Sequence, residues 1–213
     1  MTERSRLSRR GLFRGFGTAG VLAGCSGNQS TTEHPKDGVP TPPAGAEAVG
    51  PGPTGLSFEL NGKPAALEVT PETTLLAALR LHLQVTGTKE VCDRGACGAC
   101  MVLVDGVPRN SCMLLAHDVR GAKVTTVEGL ANGNQLAPIQ QAFLACDAMQ
   151  CGFCTSGMLI SCSALLARSQ GKVPTPDAIE TAISGNLCRC GTYPNVVAAV
   201  TQAAGGKPSG TGA

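Results

Sequence analysis

Apolar positions follow two different rhythms along this chain. Between residues 56 and 130 they fall in short runs separated by turn signals. Leu56–Leu60 reads as a strand, Asn61-Gly62 as a tight hairpin turn and Ala66–Val69 as the returning strand. Thr70-Pro71-Glu72 opens a helix that carries Leu75, Leu76, Leu79 and Leu83 on one face. Met101–Val104, the Asp105-Gly106 turn and Val107–Asn110 read as a second hairpin, and Lys123–Val127 as a last strand. A small mixed sheet crossed by one helix is a β-grasp arrangement. From residue 131 the period becomes helical. Leu136–Cys146, Thr155–Arg168, Pro176–Ser184 and Pro194–Ala204 are four helical stretches, with Thr175 as an N-cap before Pro176. The predicted class is α+β: a β-grasp domain over 56–130, then a four-helix bundle over 131–204, then a flexible tail over 205–213.

Residues 26–55 have no apolar periodicity. They are rich in Ser, Thr, Pro and Gly, and read as a disordered linker. Ahead of them, Ser8-Arg9-Arg10-Gly11-Leu12-Phe13 is a paired arginine followed by a weakly apolar stretch from Gly15 to Gly24. That is the pattern of a twin-arginine export signal over residues 1–25. It is too short and too Gly-rich to span a bilayer. Leu22-Ala23-Gly24-Cys25 resembles a lipobox, so Cys25 is either an acylated first residue or a chance cysteine near an ordinary cleavage site. The implied destination is the periplasm or cell envelope, with membrane contact only through a lipid anchor at Cys25. Gly15-Phe16-Gly17-Thr18-Ala19-Gly20 matches G-x-G-x-x-G, but no strand precedes it, and it is rejected as a dinucleotide site.

Composition narrows the function. The chain has 213 residues, with 3% aromatics, no Trp and one Tyr, so a large aromatic core is not expected. The formal charge of +2 misleads, because residues 1–24 hold five Arg against one Glu. The remainder carries 12 basic and 14 acidic residues and no basic run, which argues against nucleic acid as a partner.

Eleven cysteines dominate the chemistry. Cys92, Cys97, Cys100 and Cys112 read C-x4-C-x2-C-x11-C, the spacing of a plant-type [2Fe–2S] site. Gly95 and Gly98 let backbone wrap close to the ligands and turn N–H groups toward sulfur, which raises a cluster's potential. Zinc sites favour paired C-x2-C knuckles, which this quartet lacks. No His lies in either quartet, so a Rieske centre is excluded. Cys151, Cys154, Cys188 and Cys190 read C-x2-C, a long gap, then C-x-C. By spacing alone this second set also suits zinc or a redox dithiol.

Residue context separates these readings. Gln150-Cys151-Gly152-Phe153-Cys154-Thr155-Ser156-Gly157 and Gly185-Asn186-Leu187-Cys188-Arg189-Cys190-Gly191 closely resemble the iron–sulfur subunits of the xanthine dehydrogenase and aldehyde oxidoreductase family of molybdenum hydroxylases. Thr86-Gly87-Thr88-Lys89-Glu90, the first quartet and Asn110-Ser111-Cys112 resemble it too. The resemblance covers roughly residues 56–204. It implies a ferredoxin-like domain and a helical domain, each holding one [2Fe–2S] cluster. By the same resemblance Cys151, Cys154, Cys188 and Cys190 hold the proximal cluster, near a molybdenum cofactor on a large partner subunit. Cys92, Cys97, Cys100 and Cys112 hold the distal one, toward FAD on a further subunit or a cytochrome. Gln150 matches a residue that hydrogen-bonds the pterin of the molybdopterin. Arg189 either raises the proximal potential by its charge or contacts the partner.

The implied role is electron transfer within an oxidoreductase complex that oxidises an aldehyde or N-heterocycle, with no catalytic residue on this chain. The export signal is a departure from most members and resembles a periplasmic branch. A stand-alone two-cluster carrier and a zinc-stabilised binding module are the alternatives. Cys146 and Cys162 read as small buried hydrophobes on helices, and His82 and His117 as surface or packing residues.

Overall fold

The computed structural model describes residues 50–207. The twin-arginine segment, Cys25 and most of the predicted linker lie outside the described residues, as does the end of the tail. Five strands form one mixed sheet: β1 (Thr54–Leu60), β2 (Lys63–Val69), β3 (Met101–Val104), β4 (Val107–Asn110) and β5 (Lys123–Thr125), in the order β2-β1-β5-β3-β4. The β1–β5 pair is parallel and the other three are antiparallel. Both hairpin turns are of the type expected. Asn61 and Gly62 have φ of 51° and 78°, and Asp105 and Gly106 have 50° and 78°. Two successive left-handed residues match the twist of a two-residue hairpin.

β1 starts inside the stretch read as linker, because Thr54 and Gly55 pair with Val69 and Glu68. The short helix α1 (Leu75–Ala77) starts later than the Pro71 signal suggests. Thr73 N–H bonds Thr70 O at 3.0 Å, so Pro71 sits in a turn, and Thr74 is the N-cap that accepts Ala77 N–H at 3.2 Å. The helix then widens into a π turn over Ala78–His82, where Leu83 N–H reaches Ala78 O. Its leucines divide between two tasks. Leu75 and Leu79 join Leu56, Phe58, Val102 and Val124 in the sheet core. Leu76 packs instead with Cys100 and Cys112, so the helix ties that core to the first cysteine loop.

Among the described residues four longer helices follow: α2 (Pro138–Ala145), α3 (Thr155–Arg168), α4 (Pro176–Ile183) and α5 (Tyr193–Ala203). Thr175 caps α4 as expected, accepting Ala178 N–H at 3.3 Å. α5 closes with Gly205 N–H on Gln202 O and Gly206 N–H on Thr201 O, a Schellman motif. Gly205 and Gly206 therefore belong to the helix end rather than to a tail. Phe143, Met158, Cys162, Ile179, Ile183 and Val196 form the core of this half. Cys162 is fully buried, as expected. Cys146 is only half-buried, at the end of α2, where its thiol donates to Gln202 Oε1 at 3.2 Å. His82 is exposed, and His117 packs against Val69 O. No helix among the described residues is long and apolar enough to cross a membrane.

Candidate functional site

The loop from Cys92 to Cys100 is wound by three left-handed residues, Asp93, Gly95 and Gly98. The turn at Gly95 aims its N–H at Cys112 Sγ, 3.2 Å away, and a Cβ there would press on Met113. β4 brings Cys112 back across the loop. Asn110 Nδ2 donates to Gly95 O at 3.1 Å, and Ser111 Oγ donates to Cys100 O at 2.7 Å. These bonds hold Cys100 Sγ 3.4 Å from Cys112 Sγ. Cys97, Cys100 and Cys112 are buried, and Cys92 is half-exposed.

The second quartet is built from two loops. Gly152, with φ of 86°, turns the chain between Cys151 and Cys154, and Cys154 is the N-cap residue of α3. The Cys188–Cys190 loop is braced by Tyr193, whose Oη accepts Cys188 N–H at 2.8 Å and donates to Asn186 O at 3.1 Å. Cys154 is buried, Cys188 half-buried, and Cys151 and Cys190 are exposed. Phe153 and Leu187 beside them are exposed too, at 59% and 58%. Gln150 and Arg189 are exposed at the same loops.

The eight thiols hydrogen-bond two by two, Cys92 with Cys97, Cys100 with Cys112, Cys154 with Cys188, and Cys151 with Cys190, while weaker charge interactions cross the pairs, from Cys112 to Cys92, Cys154 to Cys151 and Cys190 to Cys188. Among the described residues no three His, Cys, Asp or Glu side chains surround one point as the ligands of a single ion would. Pairs are what a dinuclear centre needs, since each iron of a [2Fe–2S] cluster takes two thiolates. The donor set therefore fits the cluster better than it fits tetrahedral zinc.

Electrostatics divide each quartet. The N–H of Arg94, and then the thiol of Cys97, bring the Cys92 thiol down to about 7. Burial, and then the neighbouring Cys100, push Cys112 up to about 11. Burial and Cys188 push Cys154 up to about 12. Burial opposes the Cys188 thiolate, but the Thr192 hydroxyl and N–H, with Cys154 and the Gly191 N–H, outweigh it and bring Cys188 down to about 7. Each quartet thus combines one thiol whose surroundings favour the thiolate with one whose burial opposes it.

The two loops touch. Leu187 N–H donates to Cys97 O at 2.9 Å, Asn186 Nδ2 to Gly98 O at 3.1 Å, and Ser156 Oγ to Ala99 O at 3.3 Å. Sequence reasoning assigns Asn186, Ser156 and Tyr193 no role. Their partners lie up to 88 residues away, and no local pattern reports such a pairing.

Comparison with known proteins agrees with this geometry. Residues 58–131 match the 2Fe-2S iron-sulfur cluster binding domain, and residues 126–201 match the [2Fe-2S] binding domain. The chain is 46% identical over 163 residues to the aldehyde oxidoreductase iron-sulfur-binding subunit PaoA of Escherichia coli O157:H7, covering 70% of this chain and 71% of that one. It is 41% identical over 142 residues to the xanthine dehydrogenase iron-sulfur-binding subunit of the same organism, covering 67% and 89%. Among solved structures, quinoline 2-oxidoreductase from Pseudomonas putida 86 superposes with a TM-score of 0.68 at 41% identity, over 71% of this chain and 93% of that one. The chain belongs to the family of iron–sulfur subunits of the molybdenum hydroxylases, the xanthine dehydrogenase and aldehyde oxidoreductase type.

Proposed function

We propose that this chain carries electrons away from a molybdenum cofactor on a large partner subunit, which oxidises an aldehyde or an N-heterocycle, toward a flavin subunit or a cytochrome. Cys151, Cys154, Cys188 and Cys190 hold the proximal [2Fe–2S] cluster, and Cys92, Cys97, Cys100 and Cys112 the distal one. Each bound cluster supplies a site that takes up and releases one electron at a time.

The observation that carries this reading is the direct bond between the quartets. From Cys97 Sγ the route runs through the Cys97 carbonyl, across 2.9 Å to the Leu187 N–H, and along one peptide to Cys188. No side chain or solvent gap interrupts it. At the far side, Cys151 and Cys190 reach the surface beside Phe153, Leu187 and Gln150. An exposed apolar patch around two ligands supports docking of the molybdopterin subunit there, with Gln150 toward the pterin. At the other quartet Cys92 is half-exposed, and Val91 and Met113, next in sequence to Cys92 and Cys112, are 54% and 63% exposed, which supports a separate exit to the acceptor.

The twin-arginine signal and the Leu22-Ala23-Gly24-Cys25 lipobox support a periplasmic or envelope destination. Iron-loaded thiolates survive an oxidising compartment if the protein crosses already folded.

Native purification through a C-terminal tag, with metals counted, tests the reading. About four irons per chain, with molybdenum and a larger co-purifying subunit, are expected. Iron without molybdenum or a partner would favour a stand-alone carrier, and zinc in place of iron would end the proposal. Cys188→Ser should abolish turnover of the assembled enzyme while the EPR signal of the distal cluster persists. Loss of both signals from a folded variant would refute the assignment of two separate sites.

A further inference from the structure

The Leu187 peptide carries the bond to Cys97, yet nothing about Leu187 itself holds it there. Its side chain is 58% exposed. The residue before it is the opposite. Asn186 is 1% exposed and uses every polar group it has. Its amide Nδ2 donates to Gly98 O at 3.1 Å, and its Oδ1 accepts from Ser161 Oγ at 2.8 Å. Its backbone N–H donates to Ile183 O at 2.8 Å, and its carbonyl accepts from Tyr193 Oη at 3.1 Å. Ser161 Oγ also lies 2.9 Å from Met101 Sδ, on the strand that leaves the first loop.

The surroundings are shaped for this one side chain. A Cβ on Gly98 would collide with Gly185 O and lie 2.6 Å from Asn186 Nδ2. A Cβ on Gly157 would collide with Gly98 O. Gly98 and Gly157 therefore let three stretches of backbone meet, and the Asn186 amide is the buried side chain that fastens the Gly98 carbonyl between the Leu187–Cys97 and Ser156–Ala99 bonds. The conducting pair lies next to this contact on the two loops: Cys97 precedes Gly98, and Leu187 follows Asn186.

We propose that Asn186 is a positioning residue for electron transfer between the two centres. By clamping the Gly98 carbonyl it keeps the Leu187 N–H on the Cys97 carbonyl. This rests on the two-cluster reading. The step it serves moves one electron from the reduced second centre to the oxidised first centre, with no bond broken and no proton transferred. Electronic coupling decays steeply with each added gap, so a lengthened hydrogen bond slows transfer without altering either donor set. A buried amide is suited to the task because it donates to one loop and accepts from the helix behind it, and neither Ala nor Asp can do both.

The test uses the full chain with the subunits that purify with it, reduced by dithionite. It is mixed with a substoichiometric amount of phenazine methosulfate and followed by freeze-quench EPR at both cluster signals. In the wild type the remaining electrons redistribute between the signals in a single fast phase. Asn186→Ala is expected to keep its iron, both signals and both midpoint potentials, and to show a redistribution phase slowed severalfold. Ser161→Ala, which frees the amide without deleting it, is expected to slow the phase less. An iron-replete Asn186→Ala with unchanged redistribution overturns the clamp alone. If Asn186→Ala loses iron, Ser161→Ala decides, and an unchanged phase in that iron-replete variant overturns the clamp. A wild-type chain with fewer than two signals overturns the two-cluster reading and the clamp with it.

Discussion

Gly157→Ala sets two physical effects against each other, and the structure decides the sign. Gly157 lies in the first turn of α3, and replacing a helical glycine by alanine ordinarily stabilises by roughly 0.5–1 kcal/mol. Here the added methyl would collide with the Gly98 carbonyl oxygen and lie 2.9 Å from the Gly98 carbonyl carbon and 3.0 Å from Asn186 Nδ2. The clash is with backbone in a loop already held by hydrogen bonds, so no flexible side chain can swing away. Overpacking of this kind costs about 1–3 kcal/mol. Gly98 O keeps the Met101 N–H at 3.2 Å, but prising it from Asn186 leaves the buried amide with only the weak Met101 Sδ contact at 3.7 Å, a further cost of about 1–3 kcal/mol. Taking mid-range values and subtracting the helical gain leaves a net loss of about 3 kcal/mol. For a domain of this size that is a fall in unfolding midpoint of about 6–12 °C. Thermal unfolding of the full-length variant and wild type at matched iron content, followed by visible absorbance and far-UV circular dichroism, measures it. A midpoint equal to or above the wild type would refute the close backbone contact between the quartets.

Three smaller predictions concern other parts of the chain. Cys162 is fully buried and its thiol is pushed up to about 12, so it stays protonated across the working range; alkylation by iodoacetamide, which needs the thiolate, should remain absent from pH 7 to 10 in the folded protein by mass spectrometry, and labelling that rises through pH 9 would contradict the burial. Thr175→Ala removes the cap on α4 and should cost about 1 kcal/mol, a midpoint shift of about 2–4 °C, with iron content unchanged. Arg9→Lys combined with Arg10→Lys should hold the protein in the cytosol when cell fractions are blotted, and continued export would remove the twin-arginine reading.

Local chemistry makes much of the fold legible. α3 spans the stretch its apolar period marks out, and both two-residue hairpin turns fall on Asn61-Gly62 and Asp105-Gly106, because a turn needing two left-handed residues selects those pairs. The start of α1 is not legible, because Pro71 suits a turn as well as a first helical position, and only the Thr70–Thr73 bond separates the two. Ligand spacing exposes the cysteines, whereas their two-by-two association depends on β4 returning Cys112 to Cys100 and on α4 carrying Cys188 to Cys154. Asn186 stands in plain view within the Gly185–Gly191 motif. Its task is invisible there because its partner is set by tertiary packing and not by period or propensity.

The parallel pairing of β1 with β5 has a consequence for how the chain reaches its folded form. Glu59 and Leu60 meet Lys123 and Val124 across the middle of the sheet. All four cysteines of the first quartet lie in the loop this pairing closes, as does the β3–β4 hairpin. The sheet cannot join its two halves until the chain has been synthesised through Thr125, so folding of this half waits on a contact between distant residues. Such non-local closure is slow compared with helix formation. Until β5 docks, the sheet that fixes the spacing of the first quartet is incomplete. Correct spacing of these four thiols therefore depends on a strand that lies beyond all of them in the sequence, so the ligand set of this half is completed by a distant contact and not by its own loop.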